Sequence, residues 1–339
     1  MSSDSDGEIM EIQLDLGENR YDPQKFVEAL ATAEELGFRT AWFGDHFMPW
    51  NHSGDRSQFV WSTLGAAMQC TSKIKTGPLV TPPIGARYHP AIVAQASATL
   101  DSLFPGRLVI GVGTGEALNE RPFWNGRWPA WQERAERLTE GVQLIRKLWE
   151  SREPFPFRGK YFRSEFMYLY TKPKTRIPIY FAAAGRKGAF LAGKFGDRLV
   201  TLCPRNSLEK VRREILPAYR RGARAGGRRK DGGFVVHLDF SMLTPEELAR
   251  KEWKGLGWMN RNSWSIEDPV QVEQAGRKIS VAQLKAGVHF VKGWRELIAV
   301  IELYRGAGAE AIVLISEANK RKIREFAENI LGVFQRTKS

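Results

Sequence analysis

The feature that most restricts the fold is a rhythm: short apolar runs of strand type alternate with longer helical patterns along almost the whole chain. Strands are predicted at Met10–Leu16, Thr40–Phe43, Ile74–Leu79, Leu108–Val112, Ile179–Ala183, Leu199–Leu202, Phe234–Ser241 and Ala311–Ile315. Helices are predicted at Pro23–Leu36, Thr63–Gln69, Pro90–Leu103, Trp131–Trp149, Lys187–Phe195, Ser207–Ala225 and Trp294–Tyr304. In the fourth helix Leu138, Val142, Ile145 and Trp149 recur at helical spacing, so one stripe faces inward. Strands that alternate with helices form parallel sheets with the helices outside. Eight such strands is the number that closes an α/β barrel, and 339 residues suit one (β/α)8 TIM barrel, so residues 1–339 are read as a single domain.

Two stretches break the rhythm and read as insertions, one after strand 4 and one after strand 7. Residues 150–176 carry Pro154, Pro156 and Pro173 with the aromatics Tyr161, Phe162, Phe166, Tyr168 and Tyr170, which suits a hairpin and loop. Residues 244–284 open on Thr244-Pro245-Glu246-Glu247, a capping box with proline in the first turn. Trp253, Trp258 and Trp264 lie in it, and it is expected to cover the top of the barrel near a substrate.

The chain carries 17 Pro, 32 Gly, 42% hydrophobic residues and no apolar run long enough to span a bilayer, so no membrane partner is expected. The acidic N-terminus is unlike a secretory signal, and Cys70 and Cys203 stand far apart without histidines at ligand spacing. A reducing cytoplasm without disulfide or metal site is the expected setting. The net charge of +13 has three readings: a nucleic-acid face, a solvated surface, or a field that draws in an acidic ligand. Its densest cluster, Arg220, Arg221, Arg224, Arg228, Arg229 and Lys230, has no recognition motif beside it, and nucleic acid is not expected as a partner.

In an α/β barrel the residues just past the strand ends form the active-site rim. His46 and Trp50 follow the second strand, and Glu116 and Asn119 follow the fourth. His46 is either a general base, since imidazole titrates near neutral pH, or a structural histidine. Asp45 beside it orients the ring or the strand end. Trp50 is either a flat wall for a ring ligand or packing. Gly111-Val112-Gly113-Thr114-Gly115 is a poor dinucleotide fingerprint, because the sixth position is Glu116 and not glycine. Glu116 is then either aimed at a ligand that the glycine-rich backbone approaches, or a cap on the next helix. Ala183-Ala184-Gly185 leads into a helix whose free N–H groups either hold an anion or merely begin the helix. Pro78, Leu79, Thr81, Pro82 and Pro83 mark a kinked or cis-containing strand end that pushes backbone toward a ligand.

Taken together, Asp45-His46-Phe47-Met48-Pro49-Trp50, Arg87-Tyr88-His89-Pro90-Ala91-Ile92-Val93-Ala94-Gln95 and Gly113-Thr114-Gly115-Glu116-Ala117-Leu118-Asn119-Glu120 resemble the deazaflavin-dependent branch of the bacterial-luciferase-like barrel family. Its members include glucose-6-phosphate dehydrogenases and secondary-alcohol dehydrogenases that use coenzyme F420. The resemblance runs from about Ile9 to Leu331. It implies a barrel, usually a homodimer, that holds the deazaflavin ring at its strand ends. It implies His46 as base, Trp50 as aromatic wall and Glu116 as proton donor to the ring. Asp45, the Pro78-Leu79 bulge with Thr81, the Gly115 to Asn119 turn and Ala183-Ala184-Gly185 match cofactor-contacting segments. At the bulge the family carries a cis peptide, and Pro78 is the residue before it. The cofactor's phosphate and polyglutamate tail also give the basic charge a purpose.

Departures bear on the substrate. Where the family carries a glutamate four residues before a proline, this chain has Asn19 before Pro23, with Glu18 beside it as a substitute. Where sugar-phosphate enzymes hold phosphate with a threonine, two lysines and an arginine, this chain has Leu202, Arg205, Ser263 and Val288. A dianion needs several charge-assisted bonds, so a less charged alcohol is the expected substrate and a sugar phosphate the alternative. An FMN-dependent monooxygenase of the same barrel type and a non-catalytic binding protein are the weaker readings.

Overall fold

Strands form where the sequence places β-branched and aromatic residues between turns. In the computed structural model they are β1 (Glu11–Asp15), β2 (Thr40–Phe43), β3 (Lys75–Pro78), β4 (Ile110–Val112), β5 (Ile179–Ala182), β6 (Arg198–Cys203), β7 (Phe234–Leu238) and β8 (Ala309–Ile315). The structure describes residues 10–17, 21–53, 56–203, 207–228, 233–259 and 263–334. The eight strands are parallel and run in the order β3-β2-β1-β8-β7-β6-β5-β4. Two parallel bridges, Thr76 with Leu108 and Thr81 with Val112, draw the outer segments together and complete the ring. This is the TIM barrel that the alternation implies.

Alternate residues of each strand face opposite sides, and the buried apolar side chains divide accordingly. Leu14, Val236 and Leu314 pack with helix residues such as Leu30, Leu64 and Ile145 in the layer between sheet and helices. Trp42, Val109, Val200, Val235, Ala311 and Val313 form a second cluster, all on strands but Val109, which immediately precedes β4, and this is the barrel interior. The N-terminal side of that interior is polar and internally satisfied. Trp42 Nε1 donates to Gln13 Oε1 (2.7 Å), Gln13 Nε2 to Glu11 Oε2 (3.0 Å), and Thr40 Oγ1 to Glu11 Oε1 (2.7 Å).

The helix Trp131–Glu150 buries Leu138, Val142 and Ile145, and Trp149 Nε1 donates to the Ala94 carbonyl at 3.1 Å, so the expected stripe does face inward. Some boundaries differ from expectation. The helix expected from Thr63 begins at Val60, because Val60 and Trp61 are buried and extend its apolar face. The fourth strand is shorter than expected, since Leu108 makes only a bridge. The seventh ends at Leu238; Phe240–Ser241 pairs separately with His289–Phe290. A further helix, Lys320–Phe326, follows β8 and is capped by Asn319, whose Oδ1 accepts from Arg321 and Lys322 N–H.

Both insertions are present. The first contains the antiparallel hairpin Phe155–Arg158 with Arg163–Met167, anchored by Glu140, which accepts from the N–H groups of Lys160, Tyr161 and Phe162. The second contains helices Pro245–Lys251, Pro269–Gly276 and Val281–Gly287, the first closed by the Thr244–Glu247 capping box. Among the described residues no helix is long and apolar enough to cross a membrane.

Candidate active site

Leaving β2, the chain turns through Gly44, whose N–H donates to the Gly17 carbonyl after β1 at 3.0 Å, and presents His46 at the strand ends. Leaving β4, it turns at Gly115, which lies in the left-handed region (φ 68°), and presents Glu116 toward the same point. His46 Nε2 lies 3.6 Å from Glu116 Oε1. Asn119 fixes both partners: its Nδ2 donates to Glu116 Oε1 at 2.5 Å, and its Oδ1 accepts from Phe47 N (2.7 Å) and Met48 N (2.9 Å). Glu116 stands at the cap position of the Ala117–Glu120 turn but makes no side-chain capping bond, so its carboxyl is left for other work.

Burial decides the charge of both groups. It pushes the Glu116 carboxyl up to about 8, helped by the charge of Glu120 and opposed by Asn119, Arg87 and Arg134. It pushes the His46 imidazole down to about 3, helped by the Arg87 cation and opposed by the Met48 backbone and by Asp15. At neutral pH a free base therefore faces a carboxylic acid that keeps its proton, two neutral groups able to accept and donate a proton at one place.

Beneath them lies a buried ion cluster. Arg87, carried between β3 and the helix Pro90–Leu103, pairs Nη1 with Asp45 Oδ1 at 3.0 Å and Nε with Glu120 Oε1 at 3.4 Å. Arg87 Nη2 also donates to the Asp45 carbonyl (2.8 Å), its backbone N–H to Glu120 Oε2 (3.2 Å), and Tyr88 Oη to Asp45 Oδ1 (3.1 Å). Burial opposes the guanidinium charge, yet Asp45 and Glu120 outweigh it and hold Arg87 above its ordinary value. Burial pushes Glu120 up to about 7 against the pull of Arg87. Asp45 thus braces the strand end, and the His46 ring is oriented by its loop.

The kinked end of β3 contains a cis peptide, Leu79–Val80, directly after Pro78. Thr81 N donates to the Gly111 carbonyl (2.9 Å), and Gly113 N to the Thr81 carbonyl (3.3 Å). A Cβ on Gly111 would sit 2.7 Å from Pro78 O, and one on Gly113 would sit 2.6 Å from Val80 Cγ2. These two glycines therefore make room for the bulge itself, not for a ligand. Arg134 Nη1 holds the Gly115 carbonyl at 2.5 Å and so supports the turn that carries Glu116.

The indole-bearing insertion does reach this rim. Trp50 packs against the His46 ring at 5.6 Å between centroids and edge-on against Trp264 at 6.2 Å. Ser53 donates through N–H and hydroxyl to Glu273, both at 2.7 Å, and Arg121 pairs with Glu267 at 3.1 Å. On the far rim Ala183 and Gly185 are half-buried, Ala184 is exposed, and a Cβ at Gly185 would meet nothing within 4 Å. This edge is therefore open and lined by small residues at the C-terminal end of β5.

Of the substrate-side residues, Leu202 is half-buried at the end of β6. Ser263 is fully buried with its hydroxyl on the Trp258 carbonyl (2.8 Å), and Val288 is buried. Asn19 and Arg205 lie outside the described residues, as do Glu18, Arg229 and Lys230. Sequence reasoning passed over Arg87, Glu120, Arg134, Asp15 and His237 as site residues. The last two had a readable signal, a polar residue at an inward position of a barrel strand; the ion cluster had none, because its members come from three separate loops.

The model of a family described as luciferase-like monooxygenase matches residues 9–285. The chain is 34% identical to the F420-dependent glucose-6-phosphate dehydrogenase of Mycolicibacterium gilvum (strain PYR-GCK) over 94% of this chain and 93% of that one. It is 32% identical to the enzyme of the same name from Nocardia farcinica (strain IFM 10152), over 96% of each. A solved F420-dependent secondary alcohol dehydrogenase in complex with an F420-acetone adduct superposes with a TM-score of 0.86 at 32% identity, over 97% of this chain and 99% of that one. The chain belongs to the luciferase-like monooxygenase family and, within it, to the F420-dependent dehydrogenases that act on CH–OH donors.

Proposed function

We propose that this protein oxidises an alcohol at its CH–OH carbon with coenzyme F420, His46 taking the hydroxyl proton. The observation that carries this reading is the approach of His46 Nε2 to 3.6 Å from Glu116 Oε1 at the strand ends, where burial favours the neutral form of both. Asp45, Pro78, Leu79, Thr81, Gly115, Asn119, Ala183, Ala184 and Gly185 would hold the cofactor. F420 supplies, when bound, a ring that accepts a hydride and one proton.

His46 is uncharged at neutral pH and so is ready to accept. A weakly basic, buried imidazole still suffices, because the hydroxyl becomes strongly acidic as its carbon gives up hydride and turns into a carbonyl. Glu116 holds the balancing proton and delivers it, so each turnover moves one proton onto His46 and one off Glu116. Asn119 keeps the two groups in register. Trp50 and Trp264 exclude water from the reacting face. Acid–base help of this kind is worth about 10²–10⁴-fold, with proximity supplying the rest.

A sugar phosphate is the second reading, favoured by the named activity of the relatives at 34% and 32% identity. Against it stand Leu202 and Val288, which carry no charge, and Ser263, whose hydroxyl is already bonded. The deciding experiment follows the visible absorbance of oxidised F420 with purified protein, isopropanol and longer secondary alcohols against glucose 6-phosphate at matched concentration. Bleaching by alcohols alone supports the proposal; bleaching by the sugar phosphate replaces it with the second reading. Copurified FMN with oxygen-dependent turnover would overturn both.

A further inference from the structure

We propose that Asp15, fixed in place by His237, is a second counter-ion, beside Glu116, of the imidazolium that forms on His46, and so a positioning residue for the proton step. This rests on the reading of His46 as base. Asp15 ends β1 and pairs in register with Trp42, an interior residue, so its side chain points into the barrel at the C-terminal face. His237 lies on β7, where Val235 and His237 face inward and Val236 outward. Strands β1 and β7 flank β8, and the two side chains meet in front of it, with His237 Nε2 2.7 Å from Asp15 Oδ2. The side chains are 13% and 14% exposed, so the pair lines the mouth of the barrel and is not sealed in the core.

Asp15 is also tied to the loop that carries His46. Its Oδ1 accepts from Gly17 N at 2.7 Å, and the Gly17 carbonyl accepts from Gly44 N, two residues before His46. Asp45 and Glu120 face Arg87, and Glu116 holds its own proton at neutral pH. Arg87 is a cation near His46 and works against a second positive charge there, whereas Asp15 works for it. Once His46 has taken the substrate proton, Asp15 faces it from the β1 side of the barrel mouth while Glu116, having given up its proton, faces it from the β4 side, and His237 keeps the Asp15 carboxyl turned the right way.

The test compares variants of the full-length enzyme with oxidised F420 and a secondary alcohol. Asp15→Asn keeps the shape and removes the charge. It should lower kcat about tenfold, the size of one pK unit, with KM and the fluorescence-titrated Kd for F420 unchanged. The acid limb of the kcat profile should move to lower pH, because His46 holds its proton less well. Asp15→Glu should restore most of the rate, and His237→Asn, which frees the carboxylate to turn away, should move the limb the same way by less. In a His46→Ala background, Asp15→Asn should cost nothing more, since the two act through one proton. An unmoved acid limb, or an equal loss with and without His46, overturns the proposal. If His46→Ala alone leaves kcat intact, the base itself is wrong and the proposal falls with it.

Discussion

Two clusters share two loops, one residue apart on the first and one helical turn apart on the second, and Arg87 from a third loop joins only one of them. Asp45 and Glu120 close on Arg87 at 3.0 and 3.4 Å, so each of these carboxyls has a buried cation directly against it. His46 and Glu116, their neighbours in sequence, instead face each other at 3.6 Å, and burial leaves both neutral near pH 7. The paired cluster braces the loops; the neutral pair is free to exchange protons. On the proposed reading, neighbouring residues divide into scaffold and chemistry according to whether they pair directly with Arg87.

The largest expected effect falls on the neutral pair. His46→Ala should reduce turnover by about 10²–10⁴-fold, read as kcat, with the fluorescence-titrated Kd for F420 unchanged. An equal loss in Kd would move His46 from the chemistry to the scaffold. The scaffold side is tested by Arg87→Met, which leaves Asp45 and Glu120 buried without their cation. The melting transition should drop by an amount worth about 3–5 kcal/mol; a drop under about 1 kcal/mol would mean that the cluster braces little.

Glu116→Gln sharpens the contrast through pH. In the wild type, kcat should fall as pH rises through about 8, where the carboxyl loses its proton. The Gln variant should be slower by roughly 10²-fold and should lack that alkaline limb. The same shift has a stability sign. The folded carboxyl keeps its proton to about 8 but releases it near 4.5 when unfolded, so unfolding releases a proton between those values. The stabilising contribution is complete below about pH 4.5 and is lost as pH rises toward 8, and Glu116→Gln should flatten this part of the melting profile. The smallest effect is at the rim, where Trp264→Ala removes the edge-on contact with Trp50. It should cost about 0.5–1.5 kcal/mol, seen in KM and not in kcat.

Much of this division was hidden in the sequence. The barrel was legible because strand and helix periodicities alternate so regularly that even β2, Thr40–Phe43, keeps its expected bounds. His46, Trp50 and Glu116 were legible as residues past strand ends. That Asp45 belongs with Arg87, while His46 beside it does not, depends on which loops meet in space, and no spacing encodes that. The glycines of the β4 end misled for a related reason: Gly111 and Gly113 look like room for a ligand, but the bulge at Leu79 and Val80 takes the space. Asp15 and His237 were readable in principle, as polar residues at inward positions of apolar strands, yet only the strand order, with β8 between β1 and β7, brings them together.

The central claim is hydride transfer from an alcohol carbon, and isotopic labelling tests it most directly. Isopropanol deuterated at its carbinol carbon is mixed with the protein and oxidised F420 in a single turnover, and the reduced cofactor is examined by mass spectrometry. The account predicts one deuterium on the reduced ring and a slower bleaching rate than with unlabelled alcohol. Reduced cofactor without deuterium, or a cofactor that stays oxidised under every alcohol and sugar phosphate tried, would contradict it.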